Sequence, residues 1–211
     1  MSQPDTKQRI LNAAEHHFAR DGYHATSLRT ITATAKANLA AVNYHFGSKE
    51  TLFEAVIERR LSPLNESRLV QLENLLMRTQ QAGEVPSSRE ILRTFVEPTL
   101  RLRQQGSDTE DFIALIGRTL AEPRGVAMSI FMRLMEPLMS RLFQTLELSL
   151  SGLSRQTLFW RLHFTIGSLS HIMRCHERYA MVPEEVTIDM PVDDLVEKFL
   201  DFASAGMEAI E

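Results

Sequence analysis

A chain of 211 residues with 44% hydrophobic and 24% charged residues can bury one sizeable core or two smaller ones. Only 7% aromatic, with 10 Met against 9 Gly and 8 Pro, the composition favours helices over a β-sandwich or a low-complexity segment. No window supplies the roughly 18 uninterrupted apolar residues of a membrane span, and the start MSQPDTKQRIL lacks the apolar run of a signal peptide, so a cytoplasmic chain without membrane attachment is expected. The single cysteine, Cys175, excludes an internal disulfide framework and a Cys-rich zinc site. The net charge of −4 argues against indiscriminate coating of nucleic acid, but the charge is uneven. Residues 1–62 carry 8 Lys and Arg against 6 Asp and Glu, whereas the rest of the chain carries 15 against 21. The first sixty residues are therefore the anion-facing part, and the acidic remainder is held away from a polyanion.

The pattern is helical from end to end. Asp5 or Thr6 caps a helix over Lys7–Arg20, whose Ile10, Leu11, Ala14 and Phe18 recur at helical spacing, and Gly22 ends it. Ser27 caps a short helix, Leu28–Ala35, and after Lys36-Ala37, Asn38 caps a third, Leu39–Tyr44. Gly47-Ser48 breaks the chain, Glu50 falls in the positive first turn of a fourth helix, and Ser62-Pro63 is expected to stop that helix near Leu61. Further helices are expected over Leu64–Gln80, Ser88–Gln104, Thr109–Ala121, Gly125–Leu150, Arg155–Glu177 and Asp193–Glu208, with Tyr179–Pro191 as an extended loop. The fold class is all-α, divided into residues 1–62 and 63–211, and the absence of βαβ alternation excludes nucleotide-binding α/β folds.

Two short helices joined by a tight turn are the geometry that lays the second helix into a DNA major groove. On the third helix Val42 and Phe46 face inward, leaving Leu39, Ala40, Asn43 and Tyr44 outward. Ala40 permits close approach, Leu39 suits a thymine methyl, and Asn43 has the paired donor and acceptor that match adenine N6 and N7. Asn38, Tyr44, His45 and Lys49 are placed for phosphates, and Ser27 and Arg29 for the opposite strand. His16 and His17 are adjacent, hence on different faces, and read as surface residues rather than metal ligands. No metal or cofactor site is expected.

These residues resemble the DNA-binding segment of the tetracycline-repressor (TetR) family. The run ILNAAEHHFARDGYHATSLRTITATAKANLAAVNYHFGSKETLF carries the family's I-x-x-A-A-x-x-x-F-x-x-x-G-Y-x-x-T-S opening and its Y-H-F-x-S-K-E-x-L close. It departs at Lys36-Ala37-Asn38, where Gly-Val-Ser is usual, and at Asn43, where an aromatic residue is common. The resemblance implies an all-α homodimer on a palindromic double-stranded operator, acting as a repressor, whose second domain binds a small molecule. The segment FVEPTLRLR…GRTLAEP is similar to a subgroup that answers to fatty acids or their thioesters.

In the second part Met128, Met132, Met135, Met139, Leu142 and Leu146 form a coiled-coil-like stripe, matched by Leu158, Leu162, Thr165, Leu169 and Ile172 on the next helix. A second apolar row on each helix, including Phe159, Ile166 and Met173, requires burial on two sides. The expectation is a four-helix interface between two copies that uses Met128, Met132, Met139, Leu142, Leu158, Leu162, Leu169 and Ile172. For an apolar or amphipathic effector the expected walls are Phe95, Phe112, Ile116, Phe131, Met135, Trp160 and Phe164, with Arg101, Arg118 and His163 orienting a head group. The alternatives are a helical enzyme or redox sensor using Cys175, which His171 and His176 flank without an oxyanion loop or an orienting acid, and a helical adaptor that binds no DNA.

Overall fold

A computed structural model describes residues 5–122, 125–174 and 190–209. Among them are nine α-helices and no strand: α1 (Thr6–Ala25), α2 (Leu28–Ala35), α3 (Leu39–Phe46), α4 (Lys49–Ala82), α5 (Ser88–Arg101), α6 (Ser107–Ala121), α7 (Val126–Ser149), α8 (Arg155–Arg174) and α9 (Val192–Glu208). A 3-10 turn, Leu102–Gln105, follows α5. Among the described residues no helix is long and apolar enough to cross a membrane. Cys175, and the expected loop from Tyr179 as far as Asp189, lie outside the described residues.

The chain forms two compact units, residues through Pro63 with Gly106–Met135, and Leu64–Gln105 with Glu136 onward. The first therefore gathers α6 and the start of α7 onto the N-terminal helices, a grouping that the division at residue 62 does not convey. Its core is Ile10, Phe18, Ile31, Val42, Leu52, Phe53, Val56 and Ile57, all fully buried, with the Phe53 ring edge-on to Phe18 at 5.0 Å between centroids. Each such side chain contributes about 2–3 kcal/mol by burial, which lets helices as short as α2 and α3 persist despite their poor intrinsic stability. Arg118 of α6 donates its Nε–H to the Ala19 carbonyl of α1 at 2.7 Å, and His16 meets Asp111 at 3.0 Å. His17 is buried, not superficial: its ring bonds Thr34 Oγ1 at 2.8 Å and lies 3.5 Å from Asp21. It sits on the same inward arc as Ala14 and Phe18, so adjacency to His16 separates the two faces but does not expose both.

Gly22 interrupts α1 as expected: at φ 82° and ψ 168°, a conformation closed to side-chain-bearing residues, it ends the regular helix and leaves a short turn to Ala25, and the buried Thr26 hydroxyl ties this kink by donating to the carbonyls of His17 and Gly22. Pro63, by contrast, fails to stop α4, which runs on to Ala82. Proline deprives the Arg59 carbonyl of its donor, but Pro63 is solvent-exposed while Leu61, Leu72 and Leu75 are buried on the opposite side, and that burial carries the helix through.

In the second unit α5 and α9 pair antiparallel, as their contacts show: Ser88 with Glu208, Arg89 with Asp201 and Glu197, Arg93 with Glu197, and Arg101 with Asp193. The N-terminus of α5 is closed by a capping box in which Ser87 and Glu90 satisfy each other's backbone N–H. Arg141 of α7 grips Glu73 of α4 with two bonds of 2.6 and 2.9 Å, and Arg161 of α8 donates to the Met207 carbonyl of α9.

Candidate nucleic-acid interface

Both short helices are defined by side-chain caps. Ser27 Oγ accepts from the Thr30 N–H at 3.1 Å, and Asn38 Oδ1 accepts from the Ala41 N–H at 2.8 Å. The connection between them needs one left-handed residue, and Lys36 supplies it at φ 49° and ψ 46°. Its N–H donates to Ala33 and that of Ala37 to Thr32, the pair of bonds that closes a helix in the Schellman fashion. Arg9 of α1 reaches the Lys36 carbonyl at 3.3 Å and holds the turn from behind. Replacement of the customary glycine by lysine thus leaves the turn intact and places about 1–2 kcal/mol of backbone strain in it.

On α3 the inner pair Val42 and Phe46 is buried, and the outer row stands clear: Leu39 is 45% exposed, Tyr44 86%, and Ala40 and Asn43 are exposed. Among the described residues no hydrogen-bond partner within the protein meets the side chain of Arg29 or of Asn43, leaving the guanidinium and the carboxamide free to bond outward. His45 is half-buried, with the Tyr44 ring edge-on to it at 5.0 Å. Ser48 caps α4 through the Thr51 N–H at 3.0 Å. Lys49 is more committed than its position in sequence suggests. Its Nζ lies 4.6 Å from the Tyr23 ring centroid and bonds the His24 carbonyl at 3.4 Å, and partial burial lowers its pKa. The aromatic pair Tyr23 and Phe53 therefore sets where the ammonium stands. An N-capped helix with a free polar and apolar outer row is suited to reading base edges, and the cap residues and Lys49 to holding phosphates.

The expected effector residues are divided between the two units. Phe112, Ile116, Arg118, Phe131 and Met135 belong to the first unit, and Phe95, Arg101, Trp160, His163 and Phe164 to the second. Arg118 is held by Ala19, and Arg101 by Glu97 and Asp193, because each helix places its arginine opposite an available acceptor. Trp160, His163 and Phe164 form a row of ring contacts along α8 with Phe159, and Trp160 and Phe164 are largely exposed. With Phe199 and Phe202 of α9, His163 and Phe164 line an open concavity of about 730 Å³ that includes Gly167, Ser168 and Lys198.

Of the eight residues expected at an interface between copies, four are covered within the chain itself. Leu142, Leu158, Leu162 and Leu169 are buried within one chain, as is Met135, whereas Met132 is exposed and Met128, Met139 and Ile172 are half-buried. The leucine spacing identifies the side that packs inward, and the bulkier row Phe159-Trp160-Phe164 is the one left uncovered. A buried cation escaped the sequence reading altogether. Leu61, Asn65, Arg68, Leu72, Leu75 and Thr79 recur in alternating steps of four and three along α4 and are all buried, so a cation sits in a buried row shared by leucines and neutral polar residues. The expected helix boundary at Pro63 cut that row in two and hid it.

Comparison with known proteins agrees with this geometry. The profile described as "Bacterial regulatory proteins, tetR family" matches residues 10–56, and that described as "Tetracyclin repressor-like, C-terminal domain" matches residues 93–206. The HTH-type nicotine-responsive transcriptional repressor HdnoR of Paenarthrobacter nicotinovorans is 40% identical over 67 residues, 32% of this chain and 34% of that protein. The HTH-type transcriptional regulator UidR of Escherichia coli is 38% identical over 69 residues, 31% of this chain and 35% of that one. The chain thus spans about a third of the length of the curated relatives it matches. Solved structures share the whole fold at low identity. The fatty acid degradation regulator FadR of Bacillus halodurans superposes at TM-score 0.67 with 12% identity over 100% of both chains. The FadR of Bacillus subtilis in complex with stearoyl-CoA does so at 0.68 with 14% identity, covering 94% of this chain and 98% of that one. With a helix-turn-helix start and a matching helical C-terminal domain that takes in more than half of the residues, the chain belongs to the tetR family of bacterial regulatory proteins.

Proposed function

We propose that this chain is a ligand-responsive transcriptional repressor that binds a palindromic operator as a homodimer, with residues 1–62 contacting DNA and residues 63–211 serving effector binding and dimerisation. The observation that carries the reading is the outer row of α3, Leu39, Ala40, Asn43 and Tyr44, exposed on a helix anchored by Val42 and Phe46. The roles of HdnoR and UidR as transcriptional regulators, matched over about a third of the chain, support it. Asn43 and Leu39 read bases; Ser27, Arg29, Asn38, Tyr44, His45 and Lys49 hold phosphates.

Two copies are required because one short helix reads only a few base pairs, and a palindrome presents the same half-site twice. The uncovered apolar row on α8 and α9, where Phe164 is 65% and Phe202 64% exposed, supports this face as the contact between them. The fold shared with two fatty-acid regulators, one solved with stearoyl-CoA, supports an effector with a long apolar body. Footprinting of the purified protein on the DNA upstream of its own gene tests the reading. The expected result is two protected half-sites about one helical turn apart, with affinity falling steeply as salt rises. Protection of no segment, or a single salt-insensitive one, overturns it.

A further inference from the structure

Arg68 of α4 is only 3% exposed. Its Nη1 donates to Asn65 Oδ1 at 2.8 Å and its Nη2 to Thr99 Oγ1 at 2.5 Å, while the Thr99 hydroxyl donates to the Phe95 carbonyl. The guanidinium lies over the Phe95 ring, 4.6 Å from its centroid. Both acceptors are neutral, and among the described residues no carboxylate pairs with it; its Nε–H is buried with no acceptor at all. A guanidinium has five N–H donors, and two are used. Burial draws its pKa down from the ordinary arginine range to about 9, so it remains a cation at neutral pH. One helical turn on, Leu72 is fully buried, as are Leu92 and Val96 beside Phe95 on α5, so the charge stands in apolar surroundings.

An uncompensated buried cation is among the costliest arrangements a core can contain, and proteins retain one where a counter-ion arrives from outside. We infer that Arg68 is the receptor for the carboxylate of a free-acid effector with an apolar body, its Nε–H and the unused Nη hydrogens gripping the two oxygens as a fork while Phe95 backs the plane. One buried cation balances one negative charge. A thioester's phosphates would bring several, which selects the free acid over the acyl-CoA. The inference rests on the effector-responsive reading above and supplies the chemical class of the ligand.

Melting curves of the full chain with decanoate, decanol and decanoyl-CoA test it. Decanoate is expected to raise Tm by several degrees and the other two not to. In Arg68→Met the decanoate shift is expected to vanish while the unliganded Tm is no lower than that of the wild type, because the neutral side chain removes an unbalanced charge. Arg68→Lys keeps the charge without the fork and is expected to bind decanoate about tenfold more weakly, which provides a reading if the Met variant does not fold. Four results overturn the inference: equal stabilisation by decanol, stabilisation by decanoyl-CoA alone, unchanged decanoate affinity in either variant, or no stabilisation of the wild type by any carboxylate from six to eighteen carbons. A wild-type protein that responds to decanoate but protects no upstream DNA strikes the operator reading and leaves the Arg68 assignment standing.

Discussion

Lys36 holds a left-handed backbone that glycine adopts freely, and nothing else in the turn between α2 and α3 relieves it. Lys36→Gly is expected to stabilise the protein by about 1 kcal/mol, the relieved strain less the entropy that glycine adds to the unfolded chain. Urea denaturation at unchanged slope would register it as a higher midpoint. The exposed carboxamide of Asn43 and the tethered ammonium of Lys49 make opposite kinds of contribution. Asn43→Ala should relax base discrimination at one position of each half-site, worth about 1–3 kcal/mol, in a randomised-site selection, whereas Lys49→Ala should weaken all sequences alike and flatten the salt dependence. Unaltered preference in the Asn43 variant would remove it from base reading.

At the scale of elements, α4 shows how a helix survives a proline when its opposite side is buried. Pro63→Ala restores a donor to the Arg59 carbonyl and should stabilise the chain by roughly 1–3 kcal/mol, read as a higher Tm with more helical circular dichroism. The pairing of α5 with α9 depends on Glu197, which Arg93 and Arg89 hold down to about 2 from the ordinary 4.5 by hydrogen bonding and charge. A carboxylate depressed in the folded state contributes stability above its unfolded value and loses it as pH falls toward the folded one. The α5–α9 contact should therefore weaken between about pH 4.5 and 2, and Glu197→Gln should remove that part of the acid transition. The caps Ser27 and Asn38 made α2 and α3 legible in the sequence to the residue at their N-termini, because a cap is a local interaction. Gly22 was legible for the same local reason, since its backbone angles suit glycine alone, whereas Pro63 misled because whether a proline ends a helix or is carried through is settled by what packs on the far side, which no local pattern contains.

For the molecule as a whole, helical class and the exposed face of α3 followed from spacing, since inward Val42 and Phe46 fix what points outward. Pocket and pairing surfaces did not, because periodicity identifies an apolar row without saying whether the neighbour is the same chain or another. The leucines of α8 proved internal, and Trp160, assigned to a pocket wall, stands at the surface. If that surface joins two copies, Phe164→Glu together with Phe202→Glu should yield a monomer by sedimentation, with a far-ultraviolet spectrum unchanged, and DNA affinity should drop because each half-site is then held alone.

Trp160 is the sole tryptophan of the chain and is 48% exposed in a single subunit. If the face that carries it joins two copies, its indole is a built-in optical gauge of association, with no competing chromophore of its kind. Serial dilution would then shift its emission to longer wavelength as the ring becomes hydrated, and the concentration at the midpoint would give the dissociation constant without any added label.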